Sequence, residues 1–155
     1  PRHLSMQPNA SWAYVSNEIH PGGCTMLQYD SRRGVLEEGP VTAGVPENYP
    51  GRVSSAECTV HPSGRFVYES NRGHNSIAAF KVNPDDGSLT LVETFVPGGE
   101  TPRSFTIDPT GRFLIVMMQR SNSIVPLRID QDSGKLLRNG NSLSLPRPVC
   151  AVFLS

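Results

Sequence analysis

The 155 residues carry 14 Lys and Arg against 14 Asp and Glu, a length that suits one domain and a charge balance that leaves no basic field for a nucleic-acid backbone or an anionic lipid surface. No run of about 18 apolar residues is present, so a membrane-spanning helix is not expected. Cys24, Cys58 and Cys150 lie far apart, without a C-x-x-C pair or a histidine at ligand spacing; neither a zinc site nor a disulfide framework is indicated, and a cytoplasmic setting is expected.

Apolar residues fall in short runs between turn residues, with 14 Gly and 14 Pro, a pattern of many short strands. Three segments align without internal gaps: Pro1–Glu18, Ser55–Arg72 and Pro102–Gln119. Pro8, Pro62 and Pro109 coincide, as do Trp12, Phe66 and Phe113. The prolines are 54 and 47 residues apart, close to the roughly 40–50-residue spacing of four-stranded propeller blades. No stretch holds a 3.6-residue apolar period long enough for a helix of about 10 residues, which sets helical solenoids aside. The fold class is therefore all-β, a β-propeller segment of about three four-stranded blades, with units over 1–53, 54–100 and 101–147 and a terminal strand over 148–155.

In chain order, Pro-Arg-His opens directly into a strand-like pattern without an initiator Met, and an upstream continuation is expected. The first unit turns loosely at Pro8–Ser11 and Asp30–Gly34. The second has an inner strand near 55–60, a turn at His61–Gly64, strands over Phe66–Ser70 and Ser76–Val82, a turn at Asn83–Gly87 and an outer strand over Leu89–Phe95. The third repeats this plan, turning at Asp108–Gly111 and Asp130–Gly134; Pro fixes φ in these turns and Gly permits a positive φ. A last strand is expected over Val149–Leu154. Turns after the first and third strands of each unit share one face. Connections after the second and fourth share the other, and these are longer and hold most of the conspicuous polar residues, so a site is expected there.

Arg2, His3 and Arg103 begin inner strands on that face, and Glu18, Asn71, Arg72, His74 and Gln119 sit at or just beyond the ends of second strands. A guanidinium clamps a carboxylate or phosphate, or stabilises the oxyanion formed when water attacks an ester carbonyl, and a nearby carboxylate orients or deprotonates that water. Such a cluster suits a small anionic lactone. Glu57, on an inner strand, is costly if buried without a partner. Ordinary roles are open for several of these: an ion pair for Glu18, a loop anchor for His74, an inner-strand filler for His3. His20 and His61 read as structural, and the three cysteines as small apolar fillers. The face is rich in Arg and poor in Asp, so no hard-cation site, metal or other cofactor is expected.

P-R-H-L at the start, S-N-E at Ser16–Glu18, E-N-Y-P at Glu47–Pro50, S-N-R-G-H-N-S-I at Ser70–Ile77, T-P-R-S-F at Thr101–Phe105, D-P-T-G-R-F-L at Asp108–Leu114 and the closing P-V-C-A-V-F-L resemble the seven-bladed β-propeller lactonases: the bacterial-type 6-phosphogluconolactonases and their relatives, the carboxy-muconate lactonizing enzymes. The resemblance covers essentially the whole chain and places it in the C-terminal portion of that family. It implies hydrolysis of 6-phospho-D-glucono-1,5-lactone in the pentose phosphate route, or a muconate lactone interconversion, without a required metal. Arg2, Glu18 and Arg72 match positions attributed to the family's catalytic site; His3, Glu57, Asn71, His74, Arg103 and Gln119 are the substrate-binding candidates. The family also uses a histidine from an earlier blade. Met118 stands where the family usually has Asn, and Gly51–Ser55 lengthens a site-facing loop. A non-catalytic binding or scaffold segment is the alternative. Three blades cannot encircle a channel, so missing blades or self-association are expected to complete the ring, and the segment alone could be inactive.

Overall fold

A computed structural model describes residues 1–8 and 12–153 of the chain. The described residues form strands and turns without a helix. The first sheet comprises β1 (Leu4–Met6), β2 (Trp12–Ser16), β3 (Cys24–Asp30) and β4 (Val35–Thr42). β5 (Ser54–Val60), β6 (Phe66–Arg72), β7 (Ser76–Val82) and β8 (Leu89–Phe95) form the second. β9 (Pro102–Ile107), β10 (Phe113–Met118), β11 (Ser123–Ile129), β12 (Leu136–Arg138) and β13 (Leu143–Ser144) form the third. All pairings are antiparallel, and each sheet runs in chain order from its inner strand outward. The inner strands β1, β5 and β9 are neighbours across the sheets. This is the blade arrangement of a propeller.

The middle sheet is buried on both faces, and the two-residue period of a strand sorts its side chains. Phe66, Tyr68, Ile77 and Ala79 pack with Phe105, Leu114, Val116, Met118, Val125 and Leu127 of the third sheet. Their alternates Val67, Ala78, Phe80 and Val82 pack with Tyr14 and Cys24 of the first. Met118 is wholly buried in the first of these cores, so its departure from the family's Asn falls on packing.

A repeated contact fixes each sheet on the next. Tyr14 donates its hydroxyl to the carbonyl of Gly87 at 2.9 Å, and Tyr68, two positions after the matching aromatic, donates to Gly134 at 2.8 Å. Both glycines close the outer turn of the following sheet at φ +74° and +77°. A Cβ there would lie 2.4 Å from Trp12 or 2.5 Å from Phe66, so the turn rests directly on the preceding aromatic. On the inner side, His61 donates Nε2–H to the Gly111 carbonyl at 2.8 Å, the structural role expected of it.

Two parts of the strand plan differ from expectation. The outer strand of the third sheet is broken: β12 pairs with residues 127–129 and β13 with 123–124 of β11, and Asn139-Gly140-Asn141-Ser142 interrupts the two. No strand forms over the described part, 149–153, of the expected closing strand. Its backbone needs a sheet edge to pair with, and each described sheet is already occupied on its inner side by its own first strand. Leu154 and most of the loose first turn, Asn9–Ser11, lie outside the described residues.

Candidate active site

Arg2 precedes β1, Glu18 follows β2 and Arg72 ends β6, so two neighbouring sheets converge at one end. The Arg2 backbone N–H donates to the Ser16 carbonyl at 2.9 Å, which sets the first arginine opposite the strand that carries Glu18. Glu18 Oε1 accepts from Arg2 Nη1 at 3.0 Å and from Arg72 Nη2 at 2.5 Å. Arg72 is held further by Nε to the Ser54 carbonyl at 3.2 Å and Nη2 to Ser54 Oγ at 2.7 Å. Both arginine side chains are 17% exposed and that of Glu18 41%. The Arg72 hydrogen bond, and behind it the charges of both arginines, hold the Glu18 carboxyl below its usual range. A carboxylate held in this way is a weak base. Its role here is to fix two cations side by side, while Nη1 of Arg72 and Nη2 of Arg2 keep donors without partners among the described residues.

Beside this group, three inner edges contribute one residue each to a chain. His3 Nδ1 donates to Glu57 Oε1 at 2.6 Å, and Ser104 Oγ donates to Glu57 Oε2 at 2.8 Å. The bulge of β5 between Ser55 and Cys58 turns Glu57 inward, and its backbone N–H is taken up by Ser70 Oγ at 2.9 Å. Glu57 thus has both oxygens paired, which removes the penalty of an unpartnered inner-strand carboxylate. It also selects the tautomer of the neutral ring, Nδ1–H toward Glu57 and the lone pair on Nε2. The His3 side chain is 40% exposed.

The remaining candidates separate. Gln119 lines a cleft of about 530 Å³ together with Arg52, Ser54, Arg72, Gly73, Thr101 and Arg120. Arg103 is half-buried on β9 and makes no ion pair among the described residues. His74 serves its loop: Nδ1 meets Ser76 Oγ at 2.9 Å, and the ring stands edge-on to Tyr49 at 4.7 Å, whose hydroxyl donates to the Gly73 carbonyl at 3.0 Å. Asn71 is wholly buried rather than on the open face. It lies on the Val67–Glu69 side of β6, between the first two sheets, where Ser55 Oγ donates to its Oδ1 at 2.8 Å. Sequence reading passed over Arg52, Ser54, Ser104 and Arg120. The lengthened Gly51–Ser55 loop and the place of Arg120 directly after Gln119 were the signals available. Another cavity, about 540 Å³ and lined by Trp12, Phe66 and Pro84 among others, opens on the tight-turn face, away from the arginine–carboxylate group. No three His, Cys, Asp or Glu side chains converge as metal ligands among the described residues.

Four-stranded blades stacked on their inner strands, with a basic, carboxylate-tied group at one end, define a propeller with a polar site on its loop face. The family described as "Lactonase, 7-bladed beta-propeller" matches residues 1–153, and the chain belongs to it. A 6-phosphogluconolactonase of Bacillus subtilis is 35% identical over 154 residues, 99% of this chain and 44% of that protein. The crystal structure of a protein from Lactobacillus plantarum superposes with a TM-score of 0.95 at 32% identity, covering all of this chain and 45% of that one. A periplasmic gluconolactonase of Pseudomonas aeruginosa gives 0.93 at 27%, with 100% and 42% covered. The chain spans less than half the length of these relatives.

Proposed function

We propose that this chain carries the hydrolytic site for an anionic sugar lactone, with 6-phospho-D-glucono-1,5-lactone as substrate and 6-phosphogluconate as product. The observation that carries the reading is the single Glu18 oxygen tying Arg2 and Arg72 together from adjacent sheets. Two paired guanidinium groups with spare donors form a ready oxyanion site. The name of the Bacillus subtilis relative supports this choice of lactone.

The chemistry follows from the two groups. The lactone carbonyl oxygen faces the spare donors of Arg2 and Arg72. His3 Nε2, held by Glu57 and Ser104, takes a proton from water as the hydroxyl forms its bond to the carbonyl carbon. The negative charge moves onto the carbonyl oxygen against the arginines. Collapse breaks the bond to the ring oxygen, and His3 returns its proton to that oxygen, leaving the open acid and a free hydroxyl. Glu18 acts here by orienting the arginines rather than as the base. A cytoplasmic location fits a phosphorylated substrate and the free thiols of Cys24 and Cys58, whose sulfurs are 3.8 Å apart.

Hydrolysis of freshly generated 6-phosphogluconolactone above the spontaneous rate tests the proposal. Arg72→Ala should lower the enzymatic rate by at least about 100-fold, as loss of an oxyanion donor does. Absence of any rate above background in the unaltered chain would overturn the reading in favour of a non-catalytic propeller segment.

A further inference from the structure

The cleft beside Arg72 contains more positive charge than the ester chemistry uses. Arg52 and Arg120 enter it from separate sheets, along with Ser54, Thr101 and Gln119, and no carboxylate lines it. Both arginines are exposed and form no ion pair among the described residues. Arg72 already has Glu18 as its counter-charge, but Arg52 and Arg120 flank the same cleft without one, and an anion of more than one charge relieves the repulsion among these groups.

Both carriers are fixed by their backbones. The Arg52 carbonyl presses on Gly73 so closely that a Cβ on that glycine would come within 2.1 Å of it, and Gly73 stands at φ +92°. On the other side, the backbone N–H of Gln119 donates to the Thr101 carbonyl at 2.9 Å and that of Arg120 to Glu100 at 3.3 Å. Thr101, at φ +59°, is pinned in turn by its N–H to Asn75 Oδ1 at 2.9 Å. The backbone that carries both arginines is therefore in place before a ligand arrives, and binding has only their exposed side chains to order.

We infer that Arg52 and Arg120, with Ser54 and Gln119, form a subsite for a phosphate monoester dianion, next to the arginine pair that faces the lactone ring. This deepens the lactonase reading and rests on it for the identity of the ligand. Arg72 borders both parts: its Nη2 is tied to Glu18 and to Ser54, and it lines the cleft with Ser54. A ligand with an anion at one end and a carbonyl at the other is then held at two points, which fixes which carbonyl meets the oxyanion donors.

The test is calorimetric binding of 6-phosphogluconate, gluconate and inorganic phosphate to the full chain and to its Arg52→Ala/Arg120→Ala variant. Thermal melting serves as the control that the exposed substitutions leave the fold intact. The expected result is that the double variant binds 6-phosphogluconate at least about tenfold more weakly, a loss equivalent to one charge-assisted hydrogen bond. Gluconate binding should stay unchanged, and inorganic phosphate should compete with 6-phosphogluconate in the unaltered chain only. Equal affinity of the unaltered chain for 6-phosphogluconate and gluconate would overturn the subsite, as would a double variant that binds 6-phosphogluconate normally. Because binding is read without turnover, the subsite can stand while hydrolysis fails. Conversely, hydrolysis that persists with an unchanged KM in the double variant removes the subsite and leaves the lactonase reading.

Discussion

Glu69 is the most unusual ionisable residue in the chain. It is wholly buried between the first two sheets; one oxygen lies 3.2 Å from Ser55 Oγ, whose single hydroxyl proton goes to Asn71 Oδ1, and the other has no partner among the described residues. Burial pushes its carboxyl up to about 8, partly offset by hydrogen bonds. The folded state therefore keeps a proton that the unfolded chain releases near pH 4, so unfolding sheds a proton across that window. Stability is then full below the unfolded value, falls as pH rises from about 4 to about 8, and levels off above. Glu69→Gln should flatten that fall and stabilise the fold at pH 7 by on the order of 3 kcal/mol. Urea midpoints at pH 5, 7 and 9 would show it. A variant whose midpoints follow the same slope as the unaltered chain would rule this account out.

The site was legible in the sequence to different depths. Arg2, Glu18 and Arg72 could be placed because they flank strands in aligned repeats, so their relative positions follow from the repeat. The pairing of His3 with Glu57 could not, because it depends on a bulge in β5 that no residue announces. Asn71 was misplaced by one face: at a strand end, one step of the two-residue period separates an open loop from a buried interface. Arg52 and Arg120 escaped because backbone bonds between irregular loops set their positions, and no periodicity reports those.

The repeated contact between sheets is the feature of the fold most open to a controlled test. Gly34, Gly87 and Gly134 close equivalent turns at φ +66°, +74° and +77°. A Cβ on Gly87 or Gly134 collides with Trp12 or Phe66, whereas one on Gly34 meets nothing within 4 Å. Gly34→Ala should therefore cost only the left-handed backbone penalty, about 1–2 kcal/mol. Gly134→Ala should cost that amount plus the displacement of Phe66 from its core. Denaturant unfolding of the two variants isolates the packing part, and equal losses would mean the turn does not seat on the aromatic. The four-strand plan was readable from such turns, since Gly and Pro punctuate it. The broken outer strand of the third sheet was not, because Asn139-Gly140-Asn141 looks no different from an ordinary loop until pairing with β11 is known.

At the scale of the molecule, the same contact marks the two ends of the described stack. Phe113 aligns with Trp12 and Phe66 but covers no following turn glycine among the described residues, and Ile115 stands where Tyr14 and Tyr68 supply hydroxyls. At the other end, Gly34 lies open with no preceding aromatic on it. One end of the stack thus presents an aromatic without a turn, and the other a turn without an aromatic. We propose that both are blade interfaces to be filled, by further blades of a longer chain or by copies of this one joined head to tail. Leu4, Met6, Leu36 and Val41 of the first sheet, and Leu137 and Leu143 of the third, are exposed apolar residues on these end sheets, the kind of surface a soluble monomer seldom leaves bare. Light scattering after size exclusion should therefore show the isolated chain as an assembly larger than 16.9 kDa. Charge at an end should weaken that assembly, so Leu36→Lys should shift the distribution toward smaller species. A stable monomer at working concentration would show that three blades suffice. In that case the loop-face site would have to operate without the rest of the ring, and lactone hydrolysis by the monomer would become the decisive measurement.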